Sequence, residues 1–543
     1  MSFIKIFTFG LATIAAIYAY PSIPVLKSSS VDIEYSEDGN APENLSIINE
    51  PRYQLYNTHA HNIKLMSDCD TLNLTLKELE SQKFNFITAQ GDTTLVEIFR
   101  DDANSYEYPS QEMRKKNPNG KFGKDQAIFD ISALMHAISQ IHPDIYYACP
   151  QIKLVTATKA VLDNLPDSVS RIDIYNAAAP LVAMIGDGHT HLSFPYNDLL
   201  TEELYRMPVL FYVQQDGTLQ CRMSPNDIIP YKSRILSING HKPEDIINSM
   251  LPYESGERKH FRIMRIQTDF PALFQLLYGA DSYDIEYIDP VTNQVTATTI
   301  KAMQWGDLCN SWISHETKNQ VISDDYSYTV DSINNVAIMD FRSFTDTEKM
   351  SAFADSMFTE LREKNIGNLI IDIRNNGGGN SAVGDTLLRY IAPVPFRQFD
   401  RVIIKTSNLL NKIEDADDLP GVYLFENTDD VIAPRTEEEK HYNGKIYLLT
   451  SNFTFSSAAD FSWVFKEIGA GTVIGEETGG MNVCFGDITM YEMPLSGLTC
   501  SISYKRFWQF NADENDIHGT LPDIEVPAQD ALEKTLQLVK TGK

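Results

Sequence analysis

The stretch from Lys445 to Gly480 constrains the fold of this 543-residue chain more than any other. Residues 446–450 form an apolar run of strand length, and a helical pattern begins after Phe455. Ser456 and Ser457 therefore fall on a turn between a strand and a helix. A hydroxyl on such a turn projects beyond the sheet edge, where the free N–H groups of the first helical turn can bind an oxyanion. The alternative is that one serine only caps the helix.

Two distant stretches carry the other parts of an acyl-transfer site. Residues 368–380, NLIIDIRNNGGGN, form a buried strand that ends in a glycine-rich turn, whose backbone can approach a ligand closely and offer N–H groups to it. Residues 186–192, GDGHTHL, place a histidine among small residues that leave it accessible. Together the three stretches supply a nucleophile, a base and oxyanion donors, which are what acyl transfer requires.

The order of these motifs resembles one family of enzymes. GDGHT, IIDIRNNGGG, TFSSAADF, VIGEETGG and LPDIEV together resemble the C-terminal processing (tail-specific) peptidases and their tricorn-like relatives, over about residues 126–530. The resemblance implies a serine endopeptidase whose catalytic domain has the ClpP/crotonase-like fold of stacked ββα units. The expected fold class is multidomain α/β, in which a PDZ-like β-rich domain, a helical module and an N-terminal appended domain accompany the catalytic domain.

Two catalytic arrangements are implied by the resemblance, and the sequence favours one of them. The tail-specific branch pairs its serine with a lysine just past the GE-x-T-x-G segment, but Met481 stands there and residues 476–488 contain no lysine. A Ser/Lys dyad is therefore excluded unless a distant lysine substitutes. The tricorn-like branch uses a histidine from GDGHT and a carboxylate before the terminal PD motif. This pattern assigns His189 as the general base and Asp516 as the group that orients it.

Several of these assignments have alternatives. Matching the family pattern T-F-S-A-A-E-D-F onto residues 454–461 makes Ser456 the nucleophile, whereas a register anchored on Asp460 selects Ser457. For the carboxylate, Glu514 competes with Asp516 if the loop is shifted, and an acidic surface turn is the other interpretation. In the preferred register, the oxyanion donors are the backbone N–H groups of Ser457 and of Gly377 or Gly378.

The chain is long enough for several domains. The predicted divisions are a signal peptide over 1–19, an appended and partly flexible region over 20–125, a helical module carrying GDGHT over 126–200, a PDZ-like domain over 201–305 and the peptidase domain over 320–530. The glycine-containing peptide-binding loop of a PDZ domain is not evident in residues 201–305, so a structural or gating role is as consistent with this region as peptide docking.

Local patterns predict the elements of these regions. The predicted helices are 173–185, 347–364, 381–392 and one that ends before Pro143. The predicted strands are 84–88, 95–99, 336–341, 369–373, several across 207–303, and a hairpin of 488–493 with 498–504. The segments predicted to lack regular structure are a flexible lead-in over 28–46, a linker over 318–331 and an irregular surface excursion over 396–443.

Composition excludes some partners and cofactors. The net charge of −29 and the pI near 4.7 argue against nucleic acid as a partner, because such a surface repels phosphates. Six scattered cysteines lack CxxC spacing, so neither a metal site nor another cofactor is predicted. His189 and His191 share a face of an extended segment, but no further ligand follows at metal spacing. The disulfide to examine first is Cys484 with Cys500.

The N-terminus predicts export. Lys5 precedes an apolar run over 6–17 that is too short to span a bilayer comfortably, and Ala19 is a small residue suited to cleavage. The expected location is periplasmic or extracellular, with membrane contact only if the signal stays uncleaved, and the expected partner is a protein or peptide substrate. A catalytically inactive family member that binds a ligand or peptide is the alternative function.

Overall fold

The computed structural model describes residues 121–196, 205–304, 307, 325–426, 431–436, 438 and 440–542, together with the backbone of seven strands between 31 and 99. The predicted signal peptide lies outside these residues. No helix in the described part of the chain is both long and apolar enough to cross a bilayer. The chain divides into two compact units, residues 1–108 with 406–421 and residues 109–405 with 422–543.

The described residues of the first unit include seven strands in two sheets and one short helix. The three-stranded antiparallel sheet has the strand order Val31–Tyr35, Asn62–Ser67, Thr71–Thr75. The four-stranded sheet has the strand order Asn44–Ile48, Arg52–Tyr56, Thr93–Phe99, Gln82–Ile87. The helix is Asn408–Glu414. The strands expected at 84–88 and 95–99 are therefore present with shifted ends. The predicted lead-in over 28–46 includes the strand Val31–Tyr35 and the start of Asn44–Ile48, both short runs with β-branched residues, and its flexibility stays a prediction.

The second unit is built on a six-stranded sheet, here called the central sheet. Its order is Tyr326–Asp331, Val336–Phe341, Asn368–Asp372, Lys445–Thr450, Thr472–Gly475, Ile524–Glu525, and all neighbours after the antiparallel first pair are parallel. Leu369 and Ile371 face one core and Ile370 faces the other, so this strand is buried on both faces.

Helices cover both faces of the central sheet. Thr347–Glu363, Ser381–Ile391 and Ser457–Glu467 pack on one face, and Ala531–Thr541 packs on the other. The first two agree with the predicted helices to within one residue at their ends. In the apolar stripe of Thr347–Glu363, Met350, Ala354 and Met357 are fully buried and Phe353 is partly buried.

A second sheet is built around the long strand Thr499–Gln509. Its order is His191–Leu192, Thr499–Gln509, Phe399–Thr406, Gly421–Glu426, and Val483–Glu492 pairs with the other side of Thr499–Gln509. The predicted hairpin is therefore present but longer. The prediction that 396–443 is irregular is wrong, because two strands and a helix form within it.

The remaining elements of this unit precede the central sheet. Three helices come first: Lys124–Ile141, Gln151–Asp163 and Arg171–Ala183. An antiparallel sheet follows, with the strands Leu210–Val213, Leu219–Met223, Arg234–Ile238, Ser282–Ile288 and Val295–Lys301, and with the helices Pro243–Met250 and Lys259–Tyr278. Two short strand pairs complete this part, Phe122–Gly123 with Ser168–Val169 and Tyr205–Arg206 with Met303–Gln304. Arg171–Ala183 runs through Pro180 without a break. The sequence patterns do not predict Lys259–Tyr278, since Pro271 and several charged residues interrupt its apolar period.

Candidate active site

The site forms where parallel strands of the central sheet end. The turn that contains three successive glycines (residues 376–379), here called the glycine turn, follows strand Asn368–Asp372. The turn with the two serines follows Lys445–Thr450, and the GEETGG turn lies at the end of Thr472–Gly475. Because the carboxyl ends of neighbouring parallel strands meet at one sheet edge, these three turns lie together, which is the usual place for a site in an α/β sheet.

Ser456 has a backbone conformation that is rare for a residue with a side chain. Its φ is 51° and its ψ is −133°, close to the first central residue of a type II′ turn, and it is the N-cap of helix Ser457–Glu467. Such strain costs roughly 1–3 kcal/mol and persists only where the surroundings impose it, which is common at active sites. The Ser456 hydroxyl makes no capping bond to its own helix. It is therefore available for other chemistry.

Ser457 differs from Ser456 in that its hydroxyl is already engaged. The side chain is 3% exposed, and its Oγ donates to the carbonyl of Gly379 at 2.7 Å. Its Oγ is also 2.8 Å from Oγ of Ser381. The geometry therefore favours Ser456 over Ser457 as the attacking group.

The glycine turn packs directly against Ser456. A Cβ at Gly378 would lie 2.6 Å from Cβ of Ser456 and 2.9 Å from the backbone nitrogen of Ser457, and Gly378 has a φ of +102°. Only glycine fits this position. The glycine turn therefore lies next to both Ser456 and the backbone nitrogen of Ser457.

Asn376 determines which amides of the glycine turn are available. Its Oδ1 accepts the N–H of Gly378 at 2.9 Å, its Nδ2 donates to the carbonyl of Phe341 at 2.9 Å, and its own carbonyl accepts the N–H of Phe455 at 3.2 Å. Because the Gly378 N–H is already bonded, Gly377 is the better oxyanion donor of the two predicted. The sequence signal for Asn376 is the Asn-Gly-Gly turn itself, in which an asparagine side chain commonly bonds the backbone two residues on.

His189 lies beside the nucleophile turn. Its ring centroid is 4.4 Å from that of Phe455, the residue before Ser456, and Phe455 stacks on Phe261 at 4.3 Å. Both ring nitrogens of His189 are buried without a hydrogen-bond partner in the described part of the chain, so no bond to Ser456 is formed. Burial lowers the pKa of His189, an effect that the nearby Asp187 carboxylate partly opposes.

Asp187, which the sequence assignments overlook, is the carboxylate next to His189. Its Oδ1 is 3.9 Å from His189 Nδ1 and accepts the backbone N–H of His189 at 2.8 Å. Its Oδ2 accepts the hydroxyl of Ser503 at 2.6 Å and lies 3.2 Å from Nε2 of His142. Burial alone raises the pKa of Asp187, but the hydrogen bonds, that of His142 above all, hold it below its ordinary value.

The two carboxylates assigned from the sequence are elsewhere. Asp516 is 80% exposed, and its Oδ2 lies 3.8 Å from Nε2 of His518. Glu514 accepts hydrogen bonds from Arg401 at 2.8 Å and from Trp508 at 3.0 Å. No hydrogen bond or ion pair joins either of them to His189 in the described residues. Asp187, which the GDGHT turn places two residues before the histidine, has its Oδ1 3.9 Å from His189 Nδ1. The orienting role assigned to Asp516, with Glu514 as its alternative, stays a prediction.

Glu257 is a further buried acid at this site. Both of its carboxylate oxygens are buried without a hydrogen-bond partner among the described residues. A Cβ at Gly188 would lie 3.0 Å from its Oε2, so the acid is in contact with the histidine-bearing turn. Burial and then the charge of Asp187 raise the pKa of Glu257 to about 8.

The remaining predicted features can be placed as well. Met481 is buried where a dyad lysine would stand, and the buried Lys405 is bonded to the carbonyls of Ser139 and His142. His191 pairs through Nδ1 with the hydroxyl of Ser501 at 2.9 Å. Cys484 and Cys500 are free thiols, opposite Phe507 and Tyr491 respectively, so the disulfide examined first is not formed.

A strained serine at a strand-to-helix turn, with backbone amides beside it and a buried histidine and carboxylate close by, defines a serine hydrolase. Residues 335–526 match the model of Peptidase family S41. The match covers residues 335–526 only and identifies this part of the chain as an S41 peptidase region. It confirms the recognition and the enzyme class predicted from the motifs, a serine-type peptidase.

Solved structures share the fold. Mature CPAF superposes with a TM-score of 0.55 at 15% sequence identity, covering 77% of this chain and 96% of that one. Mature CPAF complexed with lactacystin gives a TM-score of 0.56 at 16% identity, covering 77% of this chain and 98% of that one. The expectation of a multidomain α/β protein is confirmed at that level.

Proposed function

We propose that this chain is an exported serine endopeptidase that cleaves proteins or peptides through an acyl-enzyme on Ser456. The observation that carries the proposal is the contrast between the neighbouring serines, since Ser456 is strained and available whereas Ser457 is buried and bonded to Gly379. The family membership supplies the peptide bond as the reactive group.

The proposed base is His189, oriented by Asp187. With Asp187 facing Nδ1, the other ring nitrogen, Nε2, is left to take the proton from Ser456 Oγ as the oxygen attacks the peptide carbonyl carbon. The ionised Asp187 stabilises the resulting imidazolium. No bond joins His189 to Ser456 among the described residues. Catalytic hydrogen bonds often tighten only when substrate binds, so this spacing agrees with the proposed role.

The proposed oxyanion donors are the N–H groups of Ser457 and Gly377. As the tetrahedral intermediate collapses, His189 gives its proton to the leaving amine, and a water molecule then hydrolyses the Ser456 ester by the reverse sequence of proton transfers. The glycine turn supports this step because no side chain at 378 separates the donors from Ser456.

The finer domain assignments belong to the same proposal. The parallel central sheet with helices on both faces supports a ClpP/crotonase-like peptidase domain over 320–530, and the five-stranded antiparallel sheet with two helices supports a PDZ-like domain over 201–305. Export rests on the signal pattern of residues 1–19. N-terminal sequencing of the protein secreted from a bacterial host tests it, with a new terminus after Ala19 as the expected result.

Labelling with a fluorophosphonate probe tests the nucleophile. Wild-type protein and Ser457→Ala should be labelled, the latter more slowly, whereas Ser456→Ala should not be labelled and should not cleave a denatured protein substrate. Labelling of Ser456→Ala together with loss of labelling in Ser457→Ala would transfer the role to Ser457. Absence of both labelling and cleavage in folded wild type that still binds peptides would favour the inactive peptide-binding alternative.

A further inference from the structure

A buried chain of polar side chains runs from the second sheet to the glycine turn. Gln509 donates through Nε2 to Oδ1 of Asp460, and Oγ of Ser381 lies 3.4 Å from Oδ2 of Asp460. Ser381 Oγ is 2.8 Å from Ser457 Oγ, which donates to the Gly379 carbonyl at 2.7 Å. The chain thus connects Asp460 to the turn that faces Ser456.

The protons of this chain can be counted. The Gly379 carbonyl only accepts, so the single hydroxyl proton of Ser457 is directed to it. The contact between the two serine oxygens then requires the proton of Ser381, directed at Ser457. Ser381 has no second proton for Asp460 Oδ2, so that contact is a hydrogen bond only if Asp460 carries the proton and donates it. The chain is complete when Asp460 is a neutral carboxylic acid.

The surroundings of Asp460 favour this neutral form. The residue is 7% exposed, and the described ionisable groups whose charges interact with it include Asp385 on helix Ser381–Ile391 and Asp487 and Cys484 on strand Val483–Glu492. Lys505, the cation nearest to Asp487, is bonded to that carboxylate at 2.5 Å. Burial, and to a smaller degree the charges of Asp487 and Asp385, raise the pKa of Asp460 to about 8.

We propose that neutral Asp460 is a positioning residue that, through Ser381 and Ser457, holds the Gly379 carbonyl and with it the oxyanion-binding amides of the glycine turn. The inference rests on the proposed function in so far as Ser456 and Gly377 do the chemistry. Other bonds hold this turn at Phe344, whose N–H donates to the Gly378 carbonyl at 3.0 Å and whose carbonyl accepts the Asn380 N–H at 2.6 Å. The Gly379 carbonyl itself is bonded to Ser457.

Loss of the proton from Asp460 rearranges the chain. The carboxylate attracts the Ser381 proton, and the Ser457 oxygen, 2.8 Å from Ser381, is left facing an oxygen with no hydrogen between them. Repulsion between the two oxygens displaces Ser457, whose own N–H is an oxyanion donor. Turnover should therefore decline as the pH rises through about 8.

Asp460→Asn is the matched test, because an amide keeps the chain in its neutral form at every pH. Its Oδ1 can accept from Gln509 and its Nδ2 can donate to Ser381. The variant should keep kcat at pH 7 to within about threefold, since no transition-state contact is removed, and its alkaline decline should disappear or shift upward by about one pH unit or more. Ser381→Ala should lower kcat roughly tenfold and also lose the alkaline decline.

Asp385→Asn is the control, since it removes a neighbouring buried acid that is outside the chain. Its alkaline decline should remain, at a slightly lower pH, because one negative charge near Asp460 is gone. An unchanged alkaline decline in Asp460→Asn, or a folded Asp460→Asn that is inactive at every pH, would overturn the inference. Labelling of Ser456 at pH 7 in that same variant would show that the proposed nucleophile survives the failure of this inference.

Discussion

The imidazole of His142 donates to the carboxylate of Asp187, with Nε2 and Oδ2 3.2 Å apart and both side chains fully buried. The tautomer is determined by the other ring nitrogen, because Nδ1 of His142 accepts the backbone N–H of Asp144 at 3.1 Å and so carries no proton. Two histidines therefore flank Asp187, one that holds it and one that it faces.

Asp187→Asn should lower kcat by two to four orders of magnitude, a range set by the roughly 10⁴-fold loss for the analogous change in a Ser-His-Asp triad. The amide cannot stabilise the imidazolium and presents a donor to His142. Asp516→Asn is the matched control and should stay near wild type, because Asp516 is 80% exposed. Steady-state kinetics on a peptide substrate measure both. A large loss in Asp516→Asn with a small one in Asp187→Asn would restore the assignment made from the terminal PD motif.

The acid limb of kcat/KM should lie below the ordinary imidazole pKa of about 6.5. The proposed base must be neutral, and burial lowers the pKa of His189, so the neutral form persists to lower pH. The charge of Asp187 raises that pKa, so Asp187→Asn should move the limb to still lower pH while reducing its plateau. A pH series of kcat/KM for both proteins provides the measurement, and an acid limb well above 6.5 would argue against His189 as the base.

How much of this site is predictable from sequence depends on whether its parts are local. The strand-to-helix turn with Ser456 and the glycine turn each follow a buried strand, so hydrophobic period and turn chemistry locate them. The bond between His142 and Asp187 spans 45 residues and has no local pattern. Asp516 occupies the right place along the chain relative to Gly519, but spacing carries no information on side-chain direction, and its carboxylate points to His518.

Replacing His142 should reduce stability in a pH-dependent way. His142→Phe removes a donor from a buried carboxylate and should cost about 1–3 kcal/mol in the free energy of unfolding, whereas His142→Gln can keep a donor and should cost less. Because the pKa of Asp187 is held below its unfolded value, this stabilisation is present above about pH 4 and is lost as the pH falls further. Urea unfolding at pH 7 and pH 3 tests this: the variant and wild type should differ more at pH 7, and a pH-independent difference would rule out the link to Asp187.

Gly378→Ala should abolish turnover while the protein remains folded. The new Cβ would lie 2.6 Å from Cβ of Ser456 at a φ of +102°, so the glycine turn and the nucleophile must separate. Gly469→Ala is the matched control, since Gly469 also has a positive φ, +68°, but nothing within 4 Å of the added carbon. It should lose about 1 kcal/mol of stability from backbone strain and keep its activity. Activity and thermal unfolding of both variants, measured together, distinguish collision from strain, and an active Gly378→Ala would show that the two turns are not as close as described.

Glu257→Gln should stabilise the protein at pH 8 and leave it nearly unchanged at pH 4. Burial raises the pKa of Glu257 to about 8, whereas in the unfolded chain a glutamate titrates near 4.3. Between these values the folded state holds a proton that the unfolded state has released, so the contribution of this residue to stability falls as the pH rises from about 4 to 8. A glutamine is neutral throughout and removes this dependence, which is worth on the order of a few kcal/mol for a shift of this size.

Glu363→Gln, an exposed change on helix Thr347–Glu363, is the control and should not alter the pH dependence of unfolding. Denaturant unfolding at half-unit intervals from pH 4 to pH 8 gives the two slopes, and a Glu257→Gln variant that is less stable than wild type at pH 8 would show that the ionised acid has a partner in the folded protein.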